Sequence, residues 1–193
     1  MRTRSKAVPA AVVAAALAAV TMASPASASA SAATAVTIRV ERAYAEQTPG
    51  WNTQFTCPTN HVLTGRTHVG DENAWSTYYC SLIFINDEQV RVHLGDWTAG
   101  QKESNSDYTA PPNEALVGRS HTGDENGTTR YRTATLTWQG RPVQLTGTTS
   151  TGYFKESNHT THARTNQVMV GRKHSGDENG KTWYRYATVA FEG

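Results

Sequence analysis

Leu63-Thr64-Gly65-Arg66-Thr67-His68-Val69-Gly70-Asp71-Glu72-Asn73 returns 53 residues later as Leu116-Val117-Gly118-Arg119-Ser120-His121-Thr122-Gly123-Asp124-Glu125-Asn126. A further 53 residues on, it returns as Met169-Val170-Gly171-Arg172-Lys173-His174-Ser175-Gly176-Asp177-Glu178-Asn179. No insertion separates the copies, so one structural unit occurs three times. The match widens in both directions. Asn52, Asn105 and Asn158 align, as do Asn60, Asn113 and Asn166, and Tyr78, Tyr131 and Tyr184. Lys102-Glu103-Ser104-Asn105 recurs as Lys155-Glu156-Ser157-Asn158, whereas the first copy reads Pro49-Gly50-Trp51-Asn52.

Each unit has room for about four strands. The first offers Thr37 to Glu41, a segment ending near Thr56, Val62 to His68, and Thr77 to Ile85. Val90 to Leu94 opens the second unit and Pro142 to Leu145 the third. Short β-rich runs between Gly, Asn, Asp and Pro clusters favour strands, and no long run has helical periodicity. The expectation is an all-β domain over 36–193, with units of about 36–88, 89–141 and 142–193 and about twelve strands.

The last strand of each unit assigns the faces. Ser81, Ile83 and Ile85 align with Ala134, Leu136 and Trp138, and with Ala187, Val189 and Phe191. Side chains alternate along a strand, so this set should line the core. Gly-Asp-Glu-Asn supplies turn residues and reads as a hairpin tip. With the turn centred on Asp71 to Asn73, position 68 lies opposite 78 and 66 opposite 80. Leu63, Leu116 and Met169 then face the core, while Arg66, His68 and Tyr78 share an outer face with Cys80. A one-residue slip would invert that assignment.

Residues 1–35 stand apart. Arg2, Arg4 and Lys6 precede an apolar run from Ala7 to Met22, and small-x-small options such as Ala33-Thr34-Ala35 follow. That order describes a secretory signal peptide, in a run broken by Pro9 and too short for a comfortable membrane span, with an N-terminal membrane anchor as the alternative. Without it, 15 basic side chains face 16 acidic ones, a net charge of −1. Nucleic-acid binding thereby loses its electrostatic basis. The expected location is extracellular, where Cys57 and Cys80 should form a disulfide worth about 3 kcal/mol in the chain-entropy model.

Turns call for Asp, Asn and Gly, but not also for Arg, His, Glu and Tyr at fixed places. The candidate ligand-binding set is therefore Arg66, His68, Asp71, Glu72, Asn73 and Tyr78, with Arg119, His121, Asp124, Glu125, Asn126 and Tyr131, and Arg172, His174, Asp177, Glu178, Asn179 and Tyr184. Carboxylates and amides bind paired hydroxyls, and a ring can pack on the C–H face of a sugar. Three such sites would gain avidity from a spanning glycan or glycoconjugate. No cofactor is required, although the carboxylates offer calcium the oxygen ligands it accepts. Hydrolysis by paired carboxylates is the less favoured class, because adjacent side chains on a turn diverge. The bland alternative is that Gly70, Asp71 and Asn73 only shape the turn and Arg66 only pairs with Glu72.

Three such units, with Cys57-Pro58 leading into a strand and a polar hairpin, resemble threefold-repeat β-prism modules. Examples are the vitelline membrane outer layer protein family and the β-prism domains attached to some bacterial MACPF proteins. The resemblance covers about Val36 to Gly193. It implies three four-stranded sheets around a pseudo-threefold axis and a glycan-binding role. The competing threefold fold is the β-trefoil, whose lectins often carry a repeated Gln-x-Trp that this chain lacks.

Overall fold

The computed structural model describes residues 36–71 and 73–192. The leader read at 1–35 and Glu72 lie outside them. The first unit contributes β1 (Ile38–Thr48), β2 (Thr53–Thr56), β3 (Val62–Val69), β4 (Ser76–Ile85) and the short β5 (Glu88–Gln89). The second contributes β6 (Arg91–Trp97), β7 (Gln101–Lys102), β8 (Asn105–Thr109), β9 (Glu114–Thr122), β10 (Thr128–Trp138) and β11 (Arg141–Pro142). The third contributes β12 (Gln144–Ser150), β13 (Phe154–Lys155), β14 (Asn158–His162), β15 (Gln167–Ser175) and β16 (Lys181–Ala190). Twelve of these are full strands and four are two-residue pairings. No helix occurs among the described residues.

The strands form three antiparallel sheets, and each sheet borrows a strand from another unit. In the first, β1-β4-β3 is completed by β14 of the third unit. In the second, β6-β10-β9 is completed by β2 of the first. In the third, β12-β16-β15 is completed by β8 of the second. The exchange is therefore cyclic. The hairpin strands β3, β9 and β15 touch one another in pairs, so they form the centre.

The repeated glycine of the quoted stretch has its reason at these crossings. A Cβ on Gly65 would lie 2.6 Å from the Thr161 carbonyl oxygen, one on Gly118 2.6 Å from that of Phe55, and one on Gly171 2.5 Å from that of Tyr108. Only glycine lets the borrowed strand come this close. Asn60, Asn113 and Asn166 take left-handed backbone at φ 61°, 63° and 56°, a conformation asparagine tolerates. The side-chain oxygens of Asn60 and Asn113 accept hydrogen bonds from the Val92 and Leu145 amides, at 3.1 and 2.9 Å. Asn60 and Asn113 thus tie the first and second units to the first strand of the unit that follows.

The set Ser81, Ile83, Ile85 and its equivalents is buried. The outer face assigned to the other half of the strand is not solvent-facing, and that expectation is corrected. Burial runs Ser76, Tyr78, Cys80 and then Ser81, Ile83, Ile85, so the inward phase slips by one residue at Cys80–Ser81. The same slip occurs at Thr133–Ala134 and Tyr186–Ala187. The two sets lie on opposite faces of β4, and each is covered by a different apolar cluster. On β3 a β-bulge follows, since Leu63 pairs with Cys80 and Gly65 with Tyr79, leaving Thr64 extra. Val117 and Val170 are extra at the equivalent places. One added residue turns the Arg and His that follow it to the face of Leu63, Leu116 and Met169, where Tyr78, Tyr131 and Tyr184 also lie and which the second cluster covers. The expected register also moves by two residues: His68 lies opposite Ser76, and Arg66 opposite Tyr78. A shift of two preserves the face; the bulge changes it.

Two apolar clusters result. One gathers Val62, Ile83, Ile85 and their equivalents with Val90, Val143, Trp138 and Phe191. The other holds Leu63, Leu116 and Met169 with Tyr78, Tyr131, Tyr184, Phe55 and the cystine. The Cys57–Cys80 disulfide is formed across a sequence separation of 23, and it lies inside this second cluster rather than on the surface. Replacing both cysteines with serine should cost about 3 kcal/mol by loop entropy alone, and more because two hydroxyls replace buried sulfur. A urea titration against the oxidised parent measures this; equal midpoints would refute it.

Candidate functional site

The strand-borne half of the predicted site lies in the interior. Arg66, Arg119 and Arg172 are 3%, 6% and 1% exposed, and His68, His121 and His174 are equally enclosed. Together with Leu63, Leu116 and Met169 and the three tyrosines, the arginines surround a void of about 10 Å³ at the centre. Each guanidinium reaches the tyrosine of another unit. Arg66 Nη1 donates to Tyr184 at 3.1 Å, Arg119 Nη1 to Tyr78 at 3.3 Å, and Arg172 Nη1 to Tyr131 at 3.4 Å.

Their counter-ions are two residues that the sequence reading passed over. Glu103 Oε1 lies 2.9 Å from both Arg119 Nη2 and Arg172 Nη1. Glu156 Oε1 lies 2.9 Å from Arg66 Nη1 and 3.1 Å from Arg172 Nη2. Arg172 thus bridges both carboxylates. The pairing of Arg66 with Glu72 across the turn lies outside the described residues; Arg66 pairs with Glu156, which the exchanged strand brings from the third unit. The signal was present in the sequence, because Lys-Glu-Ser-Asn recurs ahead of β8 and β14.

Burial decides the charge states here. It opposes ionisation of Glu103 and Glu156, but the adjacent guanidiniums outweigh it and hold both carboxyls well below their usual range. Burial also opposes a charged Arg66, yet Tyr184 and Glu156 keep it protonated. The histidines go the other way. Burial and then Arg66 push His68 down to about 3, and burial with Arg119 pushes His121 down to about 4. His159 falls to about 4 through burial and Arg66, and His174 is lowered by burial and Arg172. These rings are neutral at pH 7.

The tips carry the other half of the predicted site. Asp71, Asp124 and Asp177 each accept the backbone N–H of Asn73, Asn126 and Asn179, at 3.0, 3.0 and 2.8 Å. This two-residue turn accounts for the repeated Asp. Glu125 and Glu178 accept from the side chains of Asn126 and Asn179, both at 2.8 Å. The tips interlock with the loops ahead of the borrowed strands. Gly50 donates to the Asn73 carbonyl, and Gly70 and Gly176 donate to the Ser157 and Ser104 carbonyls. The three tips therefore share one end of the molecule, and their polar side chains reach solvent there.

Repeat symmetry fails at one place on that end. An open cleft of about 470 Å³ is lined by Trp51, Asn52, Asn73, Gly123 and Asp124, at the seam between the first and second tips. Trp51 is 56% exposed. Its equivalents, Ser104 and Ser157, offer no ring. Trp51 is the residue that the sequence reading missed, although the departure Pro49-Gly50-Trp51-Asn52 marked it.

Of the eighteen predicted ligand-binding residues, the structure gathers Asn73 and Asp124 in this cleft. It leaves the remaining described tip residues exposed or half-exposed near it and withdraws Arg, His and Tyr to the interior. Glu103, Glu156 and His174 hold oxygen and nitrogen atoms within 4.8 Å of one another, a spacing that could suit a metal ion. The guanidinium of Arg172 already occupies both carboxylates, so an added cation would meet a fixed positive charge. Comparison with known protein families, curated proteins and solved structures gives no match.

Proposed function

We propose that the chain is a secreted, non-catalytic carbohydrate-binding protein whose principal glycan seat is the cleft at Trp51. The single observation that carries this reading is an exposed indole beside two amides and a carboxylate, at the end where three acidic tips meet. An indole face packs on sugar C–H groups, while Asn52, Asn73 and Asp124 are of the types that bind vicinal hydroxyls. The second and third tips repeat the polar groups without the ring, so they serve as weaker contacts that add avidity to a branched or polymeric glycan. The cyclic three-sheet arrangement supports a β-prism, the architecture that the repeat resembles. The internal cystine fits an oxidising, extracellular setting.

A glycan array in calcium and again in chelator, followed by titration of the best ligand, tests the reading. Trp51→Ala should weaken binding roughly tenfold or more while leaving the melting temperature unchanged. Binding that survives chelator fits direct hydroxyl recognition by the side chains; loss in chelator would make calcium the bridge. An array without signal in either condition would remove the proposal.

A further inference from the structure

Among the described residues the central ion network is one carboxylate short, and the repeat shows where. Glu103 and Glu156 occupy equivalent positions, and the first unit has Gly50 there, itself buried. Each glutamate meets the same three groups. Glu103 faces Arg172 Nη1, Arg119 Nη2 and His121 Nδ1; Glu156 faces Arg66 Nη1, Arg172 Nη2 and His174 Nδ1. The equivalent groups at Gly50 are Arg119 Nη1, Arg66 Nη2 and His68 Nδ1. Among the described residues none of these three has a carboxylate. Arg119 Nη1 makes the long 3.3 Å bond to Tyr78, and Arg66 Nη2 and His68 Nδ1 both turn to the hydroxyl of Ser76, at 2.9 Å. Buried nitrogens without a partner, such as His68 Nε2 and the Nε atoms of Arg66 and Arg119, also occur at the seams that hold a glutamate, at Arg172 Nε and His121 Nε2, so the missing carboxylate alone sets this seam apart.

Charge states the same deficit. Among the described residues, three guanidiniums that do not deprotonate face two carboxylates, with neutral histidines between them. The excess positive charge is enclosed, where an unpaired ion is strongly disfavoured. Arg66 and Arg119 side chains are 4% and 7% exposed, so solvent does little to compensate. Gly50 adjoins Trp51 and Asn52 of the open cleft, which gives a small ion a short way in.

We propose that the Gly50 position binds one small monovalent anion between Arg66, Arg119 and His68, where the other two units supply a glutamate carboxylate. The anion is a structural ligand of this one seam and is independent of the glycan seat above it.

The test is thermal unfolding in sodium chloride or bromide against sodium gluconate at matched ionic strength, so that general screening is equal and the gluconate ion is too bulky to enter. Above the dissociation constant, each tenfold rise in chloride should raise the folding constant about tenfold. Gly50→Glu should fold without chloride and lose the dependence, because the carboxylate occupies the site itself. Should that variant fail to fold, the unaltered protein crystallised in bromide should show anomalous density beside Arg66 and Arg119. A stability blind to chloride together with no bromide peak overturns the proposal. So does tyrosinate absorption at pH 7 that disappears in Tyr78→Phe, since the counter-ion would then be that phenolate. A loss of stability confined to Glu72→Gln, again without chloride dependence, would give the role to the tip carboxylate and equally overturn it.

Discussion

Glu156→Gln should destabilise the protein by about 3–5 kcal/mol, enough to unfold many domains of this size. The change keeps shape and volume but removes a buried negative charge shared by Arg66 and Arg172. Three guanidiniums would then be left with Glu103 as their one described carboxylate. Arg172→Met should cost less, because it leaves two arginines against two glutamates, with Arg66 still on Glu156 and Arg119 still on Glu103. Urea midpoints at pH 7 for the two variants provide the comparison. If Arg172→Met proved the more damaging, packing rather than charge balance would govern the centre.

That network was only half legible in the sequence. The 53-residue repeat, the strand positions and the hairpin tips follow from periodicity and turn chemistry, and Ile83, Leu136 and Val189 announced the core by alternation. The inward turn of Arg66 and His68 did not follow, because the bulges at Thr64, Val117 and Val170 carry the β-branched residues that any strand uses, and alternation placed Tyr78 on the second face without telling that this face is covered. A bulge there costs nothing visible in composition yet inverts a face. The counter-ions were hidden for another reason. Arg66 and Glu156 stand 90 residues apart, and only the exchange of β14 into the first sheet joins them. Trp51 was legible as a break in the repeat, but no rule of strand patterning gives such a break a meaning.

Acid should unfold the protein well before its carboxylates would ordinarily protonate. His68, His121 and His159 fall from the ordinary value of 6.5 to about 3, 4 and 4, and His174 shifts the same way. Below pH 6.5 the unfolded chain takes up these protons and the folded one does not, so stability falls as pH falls. The loss continues until the folded values are reached. Each such histidine contributes about 1.4 kcal/mol per pH unit, so three or four together give a slope of about 4–6 kcal/mol per unit near pH 5. Glu103 and Glu156 act in the same direction at lower pH. Their depressed values stabilise the fold above the unfolded carboxylate range, and this contribution is lost as pH falls through the folded values. Unfolding free energies measured in urea from pH 7 to pH 4.5 should show the steep decline. A flat profile between pH 7 and pH 5 would mean that the buried rings take up protons in the fold as readily as in the unfolded chain.

The cyclic exchange of strands sets the smallest object that this sequence pattern can build. A lone 53-residue unit would own a sheet with one bare edge and a strand with no sheet to join. Two units would pass the defect along, since each loan must be repaid by a different lender. Only the third closes the circuit, with β14 returning to the sheet where the chain began. Covalent linkage therefore supplies order and local concentration, while the closure itself is that of a head-to-tail ring of three like subunits. A single-unit ancestor could have existed in the same architecture only as a trimer. The glycine at position 50 and the indole beside it are changes that such a symmetric trimer could not have made at one seam alone, so fusion into one chain is what allowed this fold to become asymmetric.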